Sequence, residues 1–184
     1  MITILSLWLP ILLSAVAIYI VSSIIHMVLP YHRSDYSALP NEDAVMDAVR
    51  GAGAGNYMAP YCASSAAMKE PAFKEKVARG PILTLYVKAG GGFDMPATLA
   101  RWFAYTLVVS ILAAYLCSRT LQSGADYLTV FRVAGFVVFA TIGGATPVPS
   151  IWYGQKWSTC VKSLFDSLVY GLVAGGVFGW LWPR

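Results

Sequence analysis

From Ile4 to Leu29 the chain runs through 26 residues without one Asp, Glu, Lys or Arg, and few folds can absorb such a block. As a helix it extends about 39 Å, enough to cross a hydrocarbon core of about 30 Å with some tilt. A secretory signal would carry a basic start and a shorter apolar core; no Lys or Arg precedes this run, and it is too long. The block therefore reads as a retained helix, with Pro10 near its start and Pro30 at its end.

Three further apolar blocks follow, at about 99–118, 127–146 and 163–182. With 58% hydrophobic and only 12% charged residues in 184, the chain departs from the balance of a soluble domain, roughly half apolar and a quarter charged. The expectation is an all-α integral membrane protein, a single membrane domain over 1–184. It has about four transmembrane helices (4–29, 99–118, 127–146 and 163–182), and the lipid bilayer is its first partner. Pro147 and Pro149 are expected to end the third helix.

Between the first two helices lies the one hydrophilic stretch, 30–98, with seven Lys or Arg against seven Asp or Glu. It reads as an extramembrane loop of mixed short helix and extended structure. Glu42 and Asp43 open a short helix at the positive end of its dipole, and Arg50-Gly51 closes it. A second short helix is expected from Glu70 to Arg79 and an extended segment from Ile82 to Lys88; Gly90 to Gly92 reads as a flexible loop.

The net charge of +4 forms no basic stripe or tail, so nucleic acid is not an expected partner. Arg33, Arg101, Lys156 and Lys162 fall on the long-loop side of the bilayer, while Arg119, Arg132 and Arg184 fall on the other. The excess of cations beside the loop places it in the cytoplasm and the termini outside. Cys62, Cys117 and Cys160 lack the spacing of a disulfide framework or a zinc finger.

Gly171, Gly175 and Gly179 recur every fourth residue and put three hydrogen side chains on one helical face, where another helix can approach closely. That partner is another helix of this chain, a second copy or a different membrane protein. Trp152 and Trp157 before the last block, and Trp180 and Trp182 at its end, resemble two interfacial belts.

Chemistry concentrates where the first helix ends. Both histidines, His26 and His32, lie there, and Asp35 can fold back toward either. Imidazole binds transition metals or moves protons near neutral pH, and a carboxylate accepting its second N–H orients it. Met27 offers a soft thioether suited to Cu(I). The plainer reading is an interfacial anchor built from Tyr31, His32, Arg33 and Tyr36. No cofactor or metal follows from six-residue spacing across a proline.

Arg132 and Asp166 are the only charges inside the apolar blocks away from their ends. Such charges raise a functional suspicion, but Arg132 can snorkel and Asp166 stands four residues after Lys162, the spacing of a local ion pair. GxSxG, HExxH and GxxxxGK[ST] are all missing.

The stretch from Ser22 to Asp35, followed by Leu39-Pro40-Asn41-Glu42-Asp43, the segment Gly124 to Val133 and the closing Phe178 to Pro183 resemble a group of small bacterial four-helix membrane proteins with no established activity. The resemblance implies a bacterial inner membrane and transfers no functional residue. The leading expectation is an accessory or scaffolding component acting through helix packing with a membrane-protein partner or a second copy, ranked ahead of a membrane-embedded enzyme, which would need Arg33, Asp35, Glu42 and Asp43 gathered around a cavity. The alternative is a protein that handles a metal, a proton or a lipid headgroup through His26, His32 and Asp35.

Overall fold

A computed structural model describes residues 2–92 and 94–184. The protein is mostly helical, and among the described residues four helical spans are long and apolar enough to cross a membrane: Ile4–Val28, Met95–Thr120, Tyr127–Trp152 and Trp157–Trp180. Only 28–39% of the most apolar window in each is buried. Leu12, Ile20, Val108, Phe136 and Leu172 instead stand exposed on their outer faces.

The chain divides into two compact units, one of residues 1–36 and 94–184 and one of residues 37–93. Residues 30–36, read from sequence as part of the loop, thus belong with the long helices. In the first unit a 3-10 turn, Ile4–Leu7, leads into α1, Trp8–Ser23. Helix α1 then widens into a π turn, Ile24–Val28, where the Leu29 amide reaches back to the Ile24 carbonyl (3.2 Å). A second 3-10 turn, Pro30–Ser34, follows.

The second unit holds α2 (Glu42–Val49), strand β1 (Gly55–Ala59), α3 (Pro71–Arg79) and strand β2 (Leu83–Val87). The two strands pair antiparallel, Gly55 opposite Val87 and Ala59 opposite Leu83. Gly80, at φ +59°, ends α3 in a conformation that suits glycine. None of its described residues is buried.

The chain returns in α4, Met95–Thr120, which starts four residues before the expected Leu99. Asp94 caps it, accepting from the Ala97 amide (3.0 Å), and Pro96 sits in the first turn where a missing N–H is harmless. Helix α5, Tyr127–Gly143, is capped likewise by Asp126; two hydrogen bonds from Thr129 hold the Asp126 carboxyl below the usual carboxylate range. Pro147 and Pro149 do not end the apolar span as expected. They sit in a short further helix, α6 (Pro147–Trp152), with Pro147 at a position that needs no N–H.

Helix α7, Trp157–Trp180, begins earlier than the expected residue 163 and ends before 182. Trp182 is therefore not part of a belt: the chain turns back after Trp180, and the buried indole of Trp182 donates to the Gln122 carbonyl (2.9 Å). Trp152, Trp157 and Trp180 are exposed.

The core lies among α1, α4, α5 and α7, around Leu7, Ile18, Val109, Val130, Val138 and Phe178. The three glycines of α7 lie on α5. A Cβ at Gly171 would come within 2.6 Å of the Gly135 carbonyl oxygen, one at Gly175 within 2.6 Å of that of Phe131, and one at Gly179 within 2.8 Å of the Tyr127 ring. These distances are below van der Waals contact, so only glycine permits the approach.

Candidate functional site: a polar cluster where the first span meets the last

The π turn and the 3-10 turn after α1 fold the segment 26–35 over the first half of α7. A π turn carries one extra residue per turn and shifts the face on which later side chains emerge, a device frequent at functional sites. Here the shift brings His26 and His32 together, their ring centres 4.4 Å apart.

Three α7 side chains meet this segment. Lys162 uses all three of its donors on it: Nζ reaches the Tyr31 carbonyl at 2.6 Å, Ser34 Oγ at 2.8 Å and Asp35 Oδ1 at 2.7 Å. Asp166 accepts from the Tyr31 hydroxyl through Oδ1, and its Oδ2 lies 2.8 Å from His32 Nε2. The Tyr170 hydroxyl stands 3.5 Å from His26 Nε2. His32 thus lies between two carboxylates, since its Nδ1 is 2.7 Å from Asp35 Oδ2.

The four-residue spacing of Lys162 and Asp166 predicts an ion pair along one turn of helix. Both residues instead bond across the structure: the turn at 30–34 offers Lys162 a carboxylate, a hydroxyl and a carbonyl at once, and gives Asp166 an imidazole and a phenol. The side chains of Asp35 and Asp166 are only 7% and 4% exposed. Burial of Asp35 acts to raise its affinity for a proton, but the hydrogen bonds from Lys162 and His32 outweigh it and hold the carboxyl below the usual carboxylate range. Tyr31 is pushed well above the usual phenol range, first by burial and then by its hydrogen bond to the Asp166 carboxylate.

Each ring nitrogen of His32 thus faces a carboxylate oxygen, and Lys162 stands on the far side of Asp35. His26 is more exposed and borders a groove of about 430 Å³ with Met27, Met95, Leu99 and Trp102. Below the groove the Trp102 indole donates to Ser22 Oγ (2.7 Å), fixing α4 against α1.

The donor atoms of His26, His32 and Asp166 all lie within 4.8 Å of one another. Asp35 stands one step back, behind His32. Sequence alone groups His26, His32 and Asp35, which are near neighbours in the chain; Asp166, 134 residues after His32, is the member it misses. Its isolation as an acidic residue within an apolar block was the available signal. Arg132 is exposed on α5 and Met27 is exposed at the groove. Cys62, Cys117 and Cys160 are free thiols, the last two buried.

No protein-family model, no curated protein and no solved structure matches this chain. A chain with four helices apolar enough to span a membrane, and a charged cluster at the junction of its first and last spans, is the class that the fold and site define.

Proposed function

We propose that this is a multi-pass protein of a bacterial inner membrane whose activity resides in the polar cluster of His26, His32, Asp35, Lys162 and Asp166, which holds a small polar or ionic ligand at the membrane boundary. One observation carries the reading: two nearly buried carboxylates are held by one imidazole, itself flanked by a second imidazole with no comparably close partner among the bonds described above. Buried ion pairs contribute little net stability compared with apolar packing of the same volume. Ionisable groups inside apolar spans default to a working role. The exposed apolar faces of the four spans support the membrane assignment. The cations at Arg33, Arg101, Lys156 and Lys162 support a cytoplasmic position for residues 37–93 and external termini.

The accessory or scaffolding reading drew on the glycine face of α7, and those glycines meet α5 of the same chain. Its remaining support is the charge-balanced stretch 30–98 and the lack of GxSxG, HExxH and GxxxxGK[ST] in the sequence. Native purification followed by mass spectrometry of bound proteins, lipids and metals separates the two. A ligand present on the wild-type chain and missing from Asp166→Asn is the expected result. A protein partner retained equally by both, with no small ligand on either, would favour the accessory reading instead. For sidedness, an impermeant maleimide should modify Cys62 in inverted vesicles and leave it untouched in intact cells.

A further inference from the structure

We propose that the ligand of this cluster is a divalent transition metal of the zinc class, bound by one ring nitrogen of His26, Nε2 of His32 and the carboxylate of Asp166, with Asp35 as the positioning residue for His32. The inference rests on the site reading above and names its ligand chemistry.

Three donor atoms from two segments far apart in the chain lie within 4.8 Å of one another. Nitrogen and oxygen ligands sit about 2.0–2.2 Å from zinc, hence roughly 3.4 Å from each other in a tetrahedral site. His32 Nε2 and Oδ2 of Asp166, at 2.8 Å, must part by roughly 0.6 Å to admit the ion, and the widest separation, no more than 4.8 Å, must shorten by on the order of 1 Å, within the reach of side-chain rotation about His26, the most exposed of the three.

His32 also has a partner behind it. A metal-bound histidine almost always gives its other N–H to a carboxylate, which fixes the ring and makes the ligating nitrogen a better donor. Asp35 Oδ2 stands 2.7 Å from His32 Nδ1, on the side of the ring away from Asp166. Asp35 is in turn held by Lys162 at 2.7 Å through its other oxygen. Asp35 and Lys162, in that order behind His32, thus supply the kind of supporting contacts that usually stand behind a metal-bound histidine. Without metal, Nε2 of His32 and Oδ2 of Asp166 bond to each other; a metal displaces the proton between them to solvent and takes both atoms.

Two imidazoles and one carboxylate suit zinc, cobalt, iron or nickel and disfavour magnesium and calcium, which take oxygen ligands. Three protein ligands leave a fourth position for water or a substrate, the pattern of working rather than closed structural sites.

The test is a cobalt(II) titration of the full chain in detergent micelles after chelator treatment, followed by zinc(II) displacement. One equivalent of cobalt should produce visible d–d absorption bands, which zinc abolishes. His26→Ala should lose these bands while melting within a few degrees of metal-free wild type, because His26 is exposed, its hydrogen bond to the Tyr170 hydroxyl is long at 3.5 Å and its other contact is the face of the His32 ring. Asp35→Asn should keep the shape of the bands and weaken binding roughly 10- to 100-fold. Absence of bands in the wild type, or bands unchanged in His26→Ala, overturns the metal assignment. If cobalt does not bind but Asp166→Asn still loses another bound species, the metal assignment falls and the site reading stands. If neither cobalt nor any other species depends on Asp166, both fall.

Discussion

The two halves of α7 join their neighbours by opposite means. From Gly171 onward the helix presents hydrogen in place of side chains and lies backbone to backbone on α5, Gly171 against Gly135 and Gly175 against Phe131. Before Gly171 another face presents Lys162, Asp166 and Tyr170 to an irregular segment tied down by hydrogen bonds and charge, while Ser167 continues the close approach to α5 at Gly143. Close packing needs no ligand and leaves nothing for chemistry. The polar half leaves imidazole and carboxylate atoms facing one another at the rim of a groove. The glycine half thus reads as the part that sets the position of α7, and the first half as the part that uses it.

Substitutions can break this contrast, and the largest effect is expected in the glycine half. Gly175→Leu must push α5 and α7 apart against the Phe131 carbonyl, 2.6 Å from where even a Cβ would lie, costing about 3 kcal/mol or more, at or beyond the top of the usual range for overpacking because backbone must move, and should lower the melting temperature of the detergent-solubilised chain furthest. Lys162→Met removes the ammonium from a carboxylate with little access to water. It should destabilise by about 3 kcal/mol, with faster amide exchange confined mostly to residues 30–36. Gly176→Ala is the control. Its Cβ would meet nothing closer than the Tyr127 hydroxyl at 3.7 Å, so its melting temperature should match or slightly exceed that of wild type, although it neighbours Gly175.

Those substitutions separate what the chain shows in one dimension from what it hides. The four apolar spans, the helix opened by Glu42 and Asp43, the helix closed at Arg79 and the glycine period are all local patterns, legible residue by residue. The extended run in 82–88 is legible too, but its partner β1 is not: Gly55-Asn56-Tyr57-Met58-Ala59 has no alternation and opens with glycine. In the site, His32 and Asp35 are three residues apart and can be paired by eye. Asp166 cannot be, because its nearest cation in sequence, Lys162, offers a complete local explanation. Only the turn at 30–34, which brings Tyr31 and His32 onto Asp166 and Asp35 onto Lys162, shows that the local explanation is not the one adopted. The early start of α7 at Trp157 has the same origin, since Lys162, a charge that marks a boundary in a hydropathy profile, lies inside the helix with partners.

The central claim is that His26, His32 and Asp166 form one metal site. X-ray absorption at the zinc edge, on the zinc-loaded full chain, tests it most directly. The account predicts two imidazole nitrogens and at least one oxygen at about 2.0–2.2 Å, with the imidazole scattering halved in His26→Ala. A shell of oxygen alone, or a spectrum that His26→Ala and His32→Ala leave unchanged, would contradict it.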